Sequence, residues 1–143
     1  MRIVLLCFVL LFGLASTAEA ADSGARVLLD RGMAVYKSSG ASAGFNALTK
    51  NGPLAGERTL SAVLNNLRTV EEALGPFEGH EIIREHEVTP RVRFIFFTMN
   101  YGKGPVYARI TAYRLASGEW ISYYFNFNTD PNEIVPAQVM FKE

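Results

Sequence analysis

Cysteine is almost missing from this chain of 143 residues: Cys7 is the single one. It sits in a leader-like apolar stretch, so a disulfide scaffold, a thiolate metal site and dithiol redox chemistry are excluded for the body of the protein. Histidine is nearly as scarce, with His80 and His86 the two present. Six residues apart on one strand, they stand ~20 Å from each other and cannot share a metal. Neither a metal nor a cofactor is expected. An excess of either charge is also missing, since 14 Lys and Arg face 14 Asp and Glu, and a balanced surface argues against nucleic acid or anionic lipid as partner. Long apolar runs are limited to residues 3–14. That is about twelve residues, against the ~20 a helix needs to cross a bilayer, so no membrane span is expected.

The first residues instead have the layout of a secretory signal. Arg2 supplies a basic start, Ile3 to Leu14 is nearly all apolar, and Ala18-Glu19-Ala20 places small residues at a cleavage site. Cys7 follows Leu6 rather than a small residue, which argues against a lipoprotein. The expectation is a signal at 1–20, a single domain at 21–143, and a periplasmic or secreted location. Removing Arg2 and Glu19 keeps the net charge near zero.

What the chain has is amphipathic helix first and aromatic strand afterwards. Over residues 23–38, Leu28, Leu29, Gly32, Val35 and Tyr36 recur at helical spacing opposite Arg26, Asp30, Arg31 and Lys37. Residues 38–56 are rich in Ser, Gly and Ala, and read as a short helix anchored by Phe45 and Leu48, then a loop at Asn51-Gly52-Pro53. Leu60, Val63, Leu64, Leu67, Val70 and Leu74 form a second strong stripe, from near Thr59 to the stop at Gly75-Pro76.

From Gly79 the apolar period becomes two, and four strands are predicted at 80–88, 91–101, 105–116 and 119–128. Their connections are too short for crossovers, so they form an antiparallel meander. Eleven of the seventeen Phe, Tyr and Trp residues fall between Arg91 and Asn128. With two-residue loops at Gly102-Lys103 and Ser117-Gly118, Phe97 faces Ala108, Ile95 faces Ile110, Ile110 faces Phe125 and Ala108 faces Phe127. A three-residue loop would shift the register by one and mix the faces. On the two-residue register one face carries Ile95, Phe97, Met99, Val106, Ala108, Ile110, Ile121, Tyr123, Phe125 and Phe127. The other carries Phe94, Phe96, Tyr107, Arg109, Tyr113, Trp120, Ser122 and Tyr124. Both are apolar, so both need a cover. The charged first strand, with Glu81, Arg84, Glu85 and Glu87, suits a sheet edge. An irregular tail follows from about residue 129.

Helices ending in Leu74-Gly75-Pro76-Phe77, a hairpin at Tyr101-Gly102-Lys103-Gly104-Pro105 and a further one at Gly118-Glu119-Trp120-Ile121 resemble the nuclear transport factor 2-like superfamily, in particular its small exported domains of unknown function. The resemblance implies an α+β fold in which two to three N-terminal helices pack on a curved four-stranded meander that forms a cone around an apolar pocket, often dimeric through the sheet's outer face. It covers ketosteroid isomerase, dehydratases, polyketide cyclases and many noncatalytic accessory domains, so it does not name a reaction. The pocket would be lined by Ile95, Phe97, Met99, Ala108, Ile110, Tyr123 and Phe125. The superfamily's enzymes place an Asp or His base beside a Tyr or Asp donor. Here the aspartates Asp22, Asp30 and Asp130 fall at helix ends or loops, which leaves His86, Tyr36 and Tyr123 as acid or base candidates.

Other constellations have plainer readings. Glu85 and Glu87, about 7 Å apart on one side of a strand, have the separation of a glycosidase pair but suit a solvated edge. Arg91, Arg93 and Arg114 gather at one end of the sheet, with His86 opposite Arg93; they could take a ligand carboxylate or phosphate, or pair with neighbouring glutamates. Gly102-Lys103-Gly104 has no helix after it and reads as a turn, not a phosphate loop. Phe94, Phe96, Tyr107, Arg109, Tyr113, Trp120 and Tyr124 need a cover, supplied by a second copy of the chain or by the tail at 134–141, rich in Ile, Val, Met and Phe. The expected function is a noncatalytic exported domain that binds a small apolar or amphipathic ligand in its cone, or acts as a homodimeric accessory module. The alternatives are a small isomerase, dehydratase or cyclase, and a partner-binding subunit of a cell-envelope assembly.

Overall fold

A computed structural model describes residues 24–141, without the side chain of Glu57. The signal at 1–20 lies outside the described residues. The fold is α+β, with three helices, a four-stranded antiparallel sheet in sequence order, and a short helix in the tail. Helices α1 (Gly24–Ser39), α2 (Ala41–Thr49) and α3 (Glu57–Leu74) precede β1 (Phe77–Thr89), β2 (Val92–Tyr101), β3 (Gly104–Arg114) and β4 (Trp120–Asn128). The tail makes a 3-10 turn at Pro131–Glu133 and helix α4 at Ala137–Met140, more structure than its two prolines suggested. Among the described residues no helix is long and apolar enough to cross a membrane.

The apolar stripes place the helices on one face of the sheet. Leu28, Leu29, Met33 and Tyr36 of α1, Phe45 and Leu48 of α2, and Leu67 of α3 are buried in one cluster with Ile95, Phe97, Met99, Val106, Ala108 and Ile110. Helices α1 and α2 approach closely because Gly44 has no side chain: a Cβ there would stand 2.5 Å from the Tyr36 Cβ and 2.6 Å from its Cα. Gly40, at φ +88°, makes the sharp break between the two helices.

The β2–β3 register is the expected one, with Gly102-Lys103 as the two-residue loop. The β3–β4 hairpin differs. Leu115 N donates to Glu119 O, and Gly118 takes φ +90°, so the loop holds three residues, 116–118. The register near the turn is shifted by one, pairing Ala112 with Ser122 and Arg114 with Trp120. A bulge at Tyr123 then restores it, and Thr111 pairs with Tyr124 and Ile110 with Phe125. Trp120 and Ser122 therefore belong to the helix-facing side, and Ile121 and Tyr123 to the other, the reverse of the expectation. The energetic sense is that the bulge lets Phe125 and Phe127 stay on the core side despite the longer loop.

A second bulge, at Ile83, divides β1: Ile82 pairs with Phe97, but Arg84 pairs with Phe96 and His86 with Phe94. His86 is thus opposite Phe94 on the outer face, not opposite Arg93; Glu87 occupies that place.

Candidate functional site

The residues expected to line a pocket are mostly solid core. Ile95, Phe97, Met99, Ala108 and Ile110 are 0% exposed beneath the helices, and Phe125 meets Phe45 edge to face at 4.8 Å. Tyr123 is not among them. The bulge turns it outward, where it is 57% exposed, and it lines a shallow apolar recess of about 330 Å³ with Val92, Thr111 and Tyr113.

Tyr36, by contrast, belongs to a polar chain that crosses three elements. Its hydroxyl donates to Glu71 Oε1 of α3 at 2.8 Å and lies 3.3 Å from the Tyr101 hydroxyl at the end of β2. Phe77 stacks on the Tyr36 ring at 4.2 Å. Burial is the chief cause that pushes the Tyr101 hydroxyl up to about 12. Burial pushes Tyr36 up further, helped by Tyr101 and the Glu71 carboxylate. Both hydroxyls therefore stay protonated at neutral pH. Glu71 and Tyr101 were not singled out from the sequence, because Glu71 lies on an ordinary helix flank and Tyr101 reads as a strand end.

On the same side of the sheet His80 Nε2 meets Asp30 Oδ1 at 2.7 Å, tying β1 to α1, and its ring is edge-on to Phe97. Arg93 bonds Glu85 at 3.2 Å and also Glu87, so those two carboxylates form a clamp on one arginine. Ion pairing is the outcome for Arg93. Arg91 donates to the Arg114 carbonyl at 2.9 Å and lies 4.9 Å from the Tyr113 ring centre. Among the described residues no three His, Cys, Asp or Glu side chains assemble as a metal site requires.

The outer face is covered in part by the chain's own tail. Ile134 and Val135 are buried against Phe96, with Ile83, Phe94, Tyr107, Val139 and Met140 around them. Of the expected cover face, Phe94, Phe96 and Tyr107 lie under the tail, while Trp120 packs on the helix side, where a Cβ at Gly24 would meet its indole at 2.5 Å. Tyr124 remains 41% exposed. Arg109 lies between the Phe94 and Tyr124 rings, at 5.7 and 5.2 Å from their centres.

Between the tail and the outer face of the sheet lies a cleft of about 410 Å³. Phe94 and Phe96 form its floor, Pro136, Gln138 and Val139 its roof, and Arg84 and His86 its wall. The volume is within the ~300–1,000 Å³ typical of small-molecule sites. From the sequence Arg84 is one charge of a solvated edge. The apolar doublet Ile82-Ile83 in an alternating strand was the signal of the bulge that aims Arg84 and His86 to this side. A further, polar crevice of about 290 Å³ opens between Arg31, Ala47, Lys50 and Glu119.

Compared with known proteins, the chain matches no family model, no curated protein and no solved structure.

Proposed function

We propose that this protein is a noncatalytic, exported binding domain of nuclear transport factor 2-like type, whose small apolar or amphipathic ligand lies in the tail-roofed cleft rather than in the middle of the helix-covered face. The observation that carries this reading is the cleft itself: an aromatic floor, an apolar roof and two basic side chains, with room for a small molecule. The helix side offers less, since the five aliphatic, Met, Ala and Phe side chains at its centre are fully buried. Titration with the neutral fluorophore N-phenyl-1-naphthylamine tests the reading. A saturable fluorescence rise is expected, and Val139→Trp, which fills the roof, should abolish it; no saturable signal, or one indifferent to Val139→Trp, refutes the location. Export is tested separately by cell fractionation and by the N-terminal sequence of the purified protein, expected to start at Ala21.

A homodimer remains part of the proposal. With the tail on Phe96, a two-fold partner has Tyr113, Tyr123, Tyr124 and their neighbours to use. Sedimentation equilibrium of the wild type against Tyr123→Asp measures whether that strip associates.

The hydrogen bond from Tyr36 to Glu71 favours a second reading, a small isomerase, dehydratase or cyclase with a carboxylate base beside a tyrosine donor. Such a site must admit a ligand to the Tyr36 hydroxyl. A bound 4-nitrophenol whose absorbance shifts in the wild type and not in Tyr36→Phe would support it, and no binding at millimolar concentration would end it.

A further inference from the structure

The cleft has a charge asymmetry that bears on what it takes. Arg84 and His86 both line its wall, and among the described residues neither side chain has a hydrogen bond or an ion pair. The carboxylates nearest in sequence are engaged elsewhere. Glu85 and Glu87 are held by Arg93 on the opposite side of the strand, and Glu81 accepts from Asn100 at 3.1 Å. No carboxylate lines the cleft. Beside its floor, on the same face of the sheet, the Arg109 guanidinium lies over Phe94, and its Nε is buried with no hydrogen-bond partner among the described residues. The lining of the cleft thus carries two basic side chains and no acid, with the Arg109 guanidinium next to its floor.

Resting on the reading of the cleft as a ligand site, we infer that it selects an amphiphile with one anionic head, of carboxylate type, the head meeting Arg84 and His86 and the apolar body lying on Phe94 and Phe96. A cationic ligand would face two basic groups and no acid. A polyphosphate would need more donors than one guanidinium and one imidazole, and would leave the aromatic floor unused. A neutral apolar ligand fits the floor but leaves Arg84 without the bidentate acceptor its planar fork suits.

The test is displacement of N-phenyl-1-naphthylamine from the full protein by decanoate and by 1-decanol, ligands of equal chain length that differ in the head. Decanoate should displace the probe at a concentration about tenfold lower or less, the equivalent of one charge-assisted hydrogen bond. In Arg84→Gln, with each competitor read relative to that variant's own probe affinity, the ratio between decanoate and decanol should fall to one, and His86→Gln should narrow it in part. Equal displacement by acid and alcohol in the wild type overturns the inference alone, as does a preference for the acid that survives Arg84→Gln. Failure of the probe to bind at all overturns the reading of the cleft, and the inference with it.

Discussion

Tyr36→Phe removes one oxygen and leaves the ring that stacks on Phe77 in place, so its effect isolates the polar chain. The deleted hydroxyl donates to the Glu71 carboxylate at 2.8 Å and meets the Tyr101 hydroxyl at 3.3 Å. A hydrogen bond to a charged group contributes about 1.5–3 kcal/mol. Glu71 is half-buried and can recruit water in compensation, so the low end applies and a loss of about 1.5–2 kcal/mol is expected. For a domain of this size that is a fall in Tm of roughly 6–8 °C. The same substitution changes the alkaline limb. Burial raises Tyr101 to about 12 and Tyr36 further, while the unfolded chain has tyrosines near ~10. The folded state thus holds protons that the unfolded state releases above ~10; the stability from this difference is complete below pH ~10 and is lost as pH rises through the folded values. At pH 11 each tyrosine costs the wild type about 1.4 kcal/mol, and Tyr36→Phe removes one of the two contributions. Urea titrations at pH 8 and pH 11, followed by the fluorescence of Trp120, measure both effects, and other titrations cancel between the two proteins. A variant within 0.5 kcal/mol of wild type at pH 8, or with the same drop from pH 8 to pH 11, refutes the reasoning.

Three further perturbations examine packing. Gly44→Ala puts a Cβ against the Tyr36 backbone, so despite alanine's better helix propensity a net loss of about 1–2 kcal/mol is expected in thermal unfolding; an unchanged Tm contradicts the close approach of α1 and α2. Ser122→Ala deletes a hydroxyl that is fully buried without a partner among the described residues, and the variant should be as stable as wild type or up to ~1–2 kcal/mol more stable in urea, whereas a loss above ~1 kcal/mol would mean the hydroxyl is satisfied. Val135→Asp places a charge where Val135 is 1% exposed. The tail should detach rather than bury it, so protease should cut between 129 and 141 while the far-ultraviolet circular dichroism of helices and sheet persists; an uncut tail refutes its docking on Phe96.

Much of the fold was readable because it rests on short-range pattern. The Leu28-Leu29-Gly32-Val35-Tyr36 stripe located α1 to within a residue at each end, and Gly102-Lys103 set the β2–β3 register residue for residue. The differences between expected and observed faces come from two bulges. A two-residue loop at Ser117-Gly118 would keep Phe125 and Phe127 on the core as well; what the three-residue loop with its bulge adds is Trp120 on the helix side, against Gly24 at the start of α1. Tyr123 was the residue displaced by that compromise, which is why a presumed pocket residue stands in solvent. At Ile83 the same kind of slip moved Arg84 and His86 from edge charges to the wall of a cleft.

Amino-acid order alone determined the three N-terminal helices, the four strands, the antiparallel meander and the demand for two covers, because periodicity and loop length act over a few residues. Tertiary structure decided what supplied each cover. The tail, rather than a second subunit alone, reaches the outer face at Phe96, and Tyr36, Glu71 and Tyr101 meet across separations of 35 and 65 residues. Those meetings depend on the summed geometry of helices, bulges and turns, in which one extra residue in a strand reverses the direction of every side chain up to the next bulge.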